Sequence, residues 1–178
     1  MEQRIKEDEL TVMLSEIWPK LHSDIAAIKE ELEKEGYDVL VIRSKQVSLA
    51  HVQNRLGFVV TVDSEDKLNG LLKILRSGLR GTLSIEFGLN KKMAVFVITI
   101  KYPDKRWALL YFVYYHIIDA EPLIKEVGKQ GLFTFFKTES QGVVGWISMG
   151  SYQLYLYSRY IKGSAQNTIS NTSNAEHV

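Results

Sequence analysis

Glu65-Asp66-Lys67 carries the Glu-x-Lys spacing of metal-dependent nucleases and follows Phe58–Val62, a β-branched stretch that reads as a strand. With Asp38 as a further acidic ligand, such a pair could hold a divalent cation against a phosphodiester. Asp63 to Asp66 also suit the first turn of a helix, where negative charge complements the macrodipole. Matches this short commonly arise by chance, and helix capping is the preferred reading. His116, Asp119 and Glu121 could offer one nitrogen and two oxygens to a cation. Asp119, however, is already explained as a helix cap, and a strand-end histidine is usually structural. His22, His51 and His177 have no candidate partners near them in sequence.

The chain has no cysteine, which removes thiolate nucleophiles, disulfides and sulfur-ligated zinc. It has no glycine-rich phosphate loop, dinucleotide fingerprint, HExxH or nucleophile elbow. With no complete catalytic constellation, the expectation is a protein that does no chemistry and takes no cofactor or metal.

A third group of residues is electrostatic and aromatic. Lys73, Arg76 and Arg80 recur at i, i+3 and i+7, opposite the leucines of a predicted helix. Lys91, Lys92, Lys105 and Arg106 fall in the turns of the strands that follow. Further on, Phe133, Phe135 and Lys137 alternate with period two, as do Tyr155, Tyr157 and Arg159. Rings interleaved with cations on a sheet face can hold a single strand by base stacking and phosphate neutralisation. The competing reading is that aromatics favour any strand and that cations near a helix C-terminus complement its dipole.

Charge is unevenly spread. Residues 1–38 hold 5 basic and 11 acidic side chains, a balance of −6, whereas residues 67–106 hold 9 basic and 2 acidic, a balance of +7. The basic segment points to a non-catalytic accessory or regulatory module that binds nucleic acid. The alternative is a protein-interaction or assembly subunit in which the acidic arm and basic middle drive homo-oligomerisation. A metal-dependent hydrolase is the third class, resting on Glu65 and Lys67 alone.

The elements that must position these residues are legible in outline. Leu10, Leu14, Ile17, Leu21, Ile25, Ile28 and Leu32 share one face of an N-terminal helical arm, which Pro19 should kink or divide and Gly36 should end. Tyr37–Ile42 reads as a strand, and Val47–Leu56 fits strand or helix. A second helix bears Leu68, Leu71, Leu72, Leu75 and Leu79, ended by Gly81. Thr82–Phe87, Met93–Ile100 and Trp107–Ile118 follow as strands, the last two apolar on both faces and therefore central. A helix over Ala120–Lys129 and strands at Leu132–Lys137, Val143–Met149 and Tyr152–Tyr160 complete the pattern.

The expected fold class is α+β: a largely antiparallel, possibly mixed sheet of two helix-plus-three-strand meander units after the arm. The expected division is an arm over 1–35, a domain over 36–162 and a disordered polar tail over 163–178. No secretory h-region and no apolar run of membrane-spanning length is visible, so the expectation is a cytoplasmic protein, homodimeric or bound to another subunit, with no membrane partner.

Overall fold

A computed structural model of the chain describes residues 2–44, 46–90, 93–116, 131–150 and 171–177. The apolar seam of the N-terminal third forms one helix, α1 (Glu2–Lys34), which runs through Pro19 without ending there. Proline removes one backbone donor, and here the loss falls on a wet side: Pro19 and Ser15, whose carbonyl would have accepted that bond, are both exposed. Gly36, at φ +90°, closes the helix. The amides of Gly36 and Tyr37 donate to the carbonyls of Glu33 and Leu32, each at 3.0 Å. This is the paired end-bond pattern that a left-handed residue permits, and glycine adopts it without a Cβ clash.

Next come β1 (Asp38–Ile42), β2 (Val47–Val52) and β3 (Arg55–Thr61). The ambiguous stretch Val47–Leu56 is therefore hairpin rather than helix. Its turn residues Gln53 and Asn54 lie at φ 49° and 63°, the left-handed pair that matches the twist of a two-residue hairpin. The second helix, α2 (Glu65–Leu75), is capped by Ser64, whose hydroxyl accepts from the Lys67 amide. The remaining strands are β4 (Gly81–Asn90), β5 (Met93–Tyr102), β6 (Trp107–His116), β7 (Leu132–Thr138), β8 (Gly142–Gly150) and β9 (Asn171–His177).

The fold is α+β with two mixed sheets. The first has the order β1-β6-β5-β4-β9, with β1 parallel to β6 and the other pairs antiparallel. The second has the order β2-β3-β7-β8, with β3 parallel to β7. The expected meander β4-β5-β6 is present, but β7 and β8 build the second sheet, which stacks on the first instead of extending it. Phe58 of β3 packs on the ring pair of Phe96 of β5 and Tyr115 of β6, with ring centroids 6.0 and 5.8 Å away. The expected helix Ala120–Lys129 and strand Tyr152–Tyr160 lie outside the described residues.

The first sheet is covered on both faces, which is why β5 and β6 are apolar throughout. On one face α1 packs Met13, Leu21 and Ile25 against Val41, Val97, Leu110 and Phe112. On the other, α2 and the second sheet cover Leu83, Ile85, Phe96, Ile98, Leu109 and Tyr111. Alternation along each strand thus feeds two cores. Between the sheets, the buried hydroxyls of Tyr111 and Thr134 lie 2.9 Å apart, and Thr134 donates to Met149 Sδ at 3.1 Å.

The polar stretch expected to be disordered supplies β9, which pairs antiparallel with the outer edge of β4, Gly81 opposite His177 and Phe87 opposite Asn171. A strand edge offers backbone donors and acceptors whatever the side chains are, so pairing there needs no apolar pattern. Residues 163–170 lie outside the described part.

Candidate nucleic-acid interface

The second helix ends sooner than its leucine spacing implies. Arg76 is its C-cap residue and Gly78, at φ +67°, turns the chain away. Arg80 consequently belongs to the connection before β4, and the i, i+3, i+7 face does not extend to it. Lys73 lies in the last turn of α2, where a cation also complements the helix dipole.

What the helix does not align, the sheet collects. Lys73 places its ammonium 4.8 Å from the ring centroid of Trp107, the first residue of β6. Thr82 is registered opposite Lys101, so Arg80 reaches the level of the β5–β6 turn. Lys105 and Arg106 are in that turn. Lys73, Arg76, Arg80, Lys101, Lys105 and Arg106 therefore share one end of the first sheet, against the acidic Glu35, Asp38 and Asp104.

Two of these cations are engaged by the end of the acidic arm. The Arg106 guanidinium donates to the Glu35 carbonyl and lies 4.7 Å from the Tyr37 ring centroid. Lys101 Nζ donates to Glu35 Oε2 at 2.8 Å and sits 5.5 Å from the same ring. The Arg106 carbonyl in turn accepts from the Asp38 amide at 2.8 Å, tying the entry of β1 to the turn. Two other acids of the arm pair within it, Glu30 with Lys34 at 2.8 Å and Glu33 with Lys29 at 3.5 Å. The arm and α2 lie on opposite faces of the first sheet, Val39 and Val41 facing α1 and Leu40 facing α2. Lys73, Arg76 and Arg80 are exposed. Tyr102, at the end of β5, has its hydroxyl pushed up to about 12 by burial, so it is neutral here.

Sequence reasoning missed the aromatic partners of this end, Tyr37 and Trp107. A signal was present, because Trp107 directly follows Arg106 and Tyr37 opens the first strand. The alternating Phe133 and Phe135 do share a face, with centroids 5.9 Å apart. They are 9% and 3% exposed, however, so neither presents an open stacking surface. Gly57 makes room for them, since a Cβ there would sit 2.5 Å from Phe135 Cε2 and 2.6 Å from the Phe133 carbonyl. Lys91, Lys92, Tyr155, Tyr157 and Arg159 lie outside the described residues. Asn90 and Met93, which flank the two lysines, close the opposite end of the sheet from the basic cluster.

The nuclease constellation is not assembled. Asp38 begins β1, whereas Asp63, Ser64 and Lys67 share a cavity with Arg43, beyond the other end of that strand. Among the described residues no three carboxylate or imidazole groups converge. His116 is half-buried at the end of β6, and Asp119 and Glu121 lie outside the described part. No described helix is long and apolar enough to cross a membrane.

The sequence matches one family profile over residues 3–156. The chain belongs to DUF7529. This is a family of unknown function, and the matched span runs from α1 through β8, taking in every residue of the basic end. No curated protein and no solved structure matches the chain.

Proposed function

We propose that this DUF7529 member is a non-catalytic accessory or regulatory module of the cytoplasm that binds nucleic acid, as a homodimer, through the basic end of its first sheet. The observation that carries the reading is the gathering of cations from three separate stretches, 73–80, 101 and 105–106, at one end of the first sheet, with Lys73 over Trp107 and Lys101 and Arg106 over Tyr37. Phosphate contacts from Lys and Arg supply sequence-independent affinity, and aromatic rings among them favour unpaired bases. Arg76 and Arg80 are exposed capping and connecting residues, so replacing both with glutamine should leave the fold intact. A filter-binding titration at low salt should show binding of single-stranded oligonucleotides by the native chain. The Arg76→Gln/Arg80→Gln variant should bind all sequences about equally less well. Affinity that is sequence-dependent, or lost only with a particular base, contradicts the proposed mode.

A second reading, an assembly subunit, is favoured by a different observation. Edge strand β8 exposes Trp146 at 53% and Val143 at 42%, and exposed aromatics at a sheet edge are common at protein interfaces. Light scattering and the filter-binding titration together separate the two readings: a native chain that binds no oligonucleotide at low salt, and whose Trp146→Ser variant falls to half the native mass, supports assembly through β8.

A further inference from the structure

A cavity of about 350 Å³ opens beside the outer edge of β1, away from the basic end. Its wall takes a side chain from each of three elements: Lys29 from α1, Arg43 from the segment leaving β1, and Lys67 from the first turn of α2. Val39 and Val41 form an apolar floor, and among the described residues of the lining Asp63 is the one carboxylate. Lys29 also meets Glu33 at 3.5 Å along its own helix. With Glu33 against Lys29 and Asp63 in the lining, the three cations still outnumber the carboxylates, and a bound anion neutralises the excess. The volume falls near the small end of ligand pockets, roughly 300–1,000 Å³, too small for a folded partner.

We infer that this cavity binds a small dianion carried on a compact apolar or sugar body: a phosphate monoester or a short dicarboxylate. Arg43 offers a planar fork suited to two anionic oxygens, and Lys29 and Lys67 supply compact charges from either side. The valines take the uncharged part of the ligand. The site does not depend on the nucleic-acid reading, because none of its cations belongs to the basic end.

Isothermal titration of the full chain with a nucleoside monophosphate, inorganic phosphate and succinate tests it. The expected result is saturable 1:1 binding of the monophosphate or of succinate, whichever wins identifying the anion. Arg43→Gln and Lys67→Gln should each weaken it about tenfold, the loss expected for one charge-assisted hydrogen bond. Arg76→Gln/Arg80→Gln should leave it unchanged. Both pocket substitutions are at exposed positions, and a circular-dichroism melt checks that the variants fold. The inference is overturned if no probe binds up to about 10 mM, weaker than any specific site of this kind. It is equally overturned if the Arg43→Gln/Lys67→Gln variant binds as the native chain does.

Discussion

Two side chains make the residue scale measurable. Thr134 bridges the sheets, sharing a hydrogen bond with Tyr111 and donating to Met149. Tyr111 is fully buried and its hydroxyl is held neutral by that burial, its pKa pushed well above the ordinary phenol value. Replacing Thr134 with valine keeps the shape and strands the hydroxyl of Tyr111, which should cost about 1–3 kcal/mol in chemical denaturation. Glu86 of β4 offers a pH test. Its carboxyl is raised above the usual range, first by burial and then by the carboxylates of Asp24 and Glu31 on α1. A carboxyl with a raised folded pKa holds its proton more tightly in the native state. Its favourable contribution is complete below the unfolded value and fades as pH rises through the folded one. Glu86→Gln should therefore raise the melting temperature at pH 7, and the gain should vanish near pH 4. A gain that persists at pH 4 would mean that charge is not its origin. Residue types alone could not have located either feature, since both arise between elements far apart in sequence. Tyr37 and Trp107 stood beside visible signals, but the cations over their rings arrive from other elements.

At the scale of elements, periodicity was a sound guide wherever one face of an element meets one core. The α1 seam is the best case: Ile25 is fully buried and Leu21 and Leu32 nearly so. Ile25→Ala should cost about 2–5 kcal/mol in thermal or denaturant unfolding. An unchanged melting curve would show that α1 does not seal the first sheet. Pattern reading failed where the cause was local stereochemistry. Gly78 and the Arg76 cap stop α2 a turn before the leucine spacing runs out. Gln53-Asn54 makes a tight hairpin without the Asn-Gly signature that would have announced it. Pro19 fails to break α1 because its missing donor falls on the solvent side.

For the whole molecule, the α+β class was legible because apolar strands and amphipathic helices alternate clearly. The stacking of two sheets was not, since β1–β6 and β3–β7 are parallel pairs joined across long sequence separations. The charge imbalance was visible in the sequence and has a spatial form. The acidic arm lies on one face of the first sheet, reaches Lys101 and Arg106 through Glu35, and is separated by the sheet from α2. A basic end built this way should act through phosphate neutralisation, which is read most directly from the salt dependence of binding. For single-stranded oligonucleotides, log affinity should fall linearly with log salt, and Arg76→Gln/Arg80→Gln should flatten that line by roughly 1.4, about 0.7 for each phosphate contact removed. No measurable affinity at low salt, or a slope that the double substitution leaves untouched, would contradict the account.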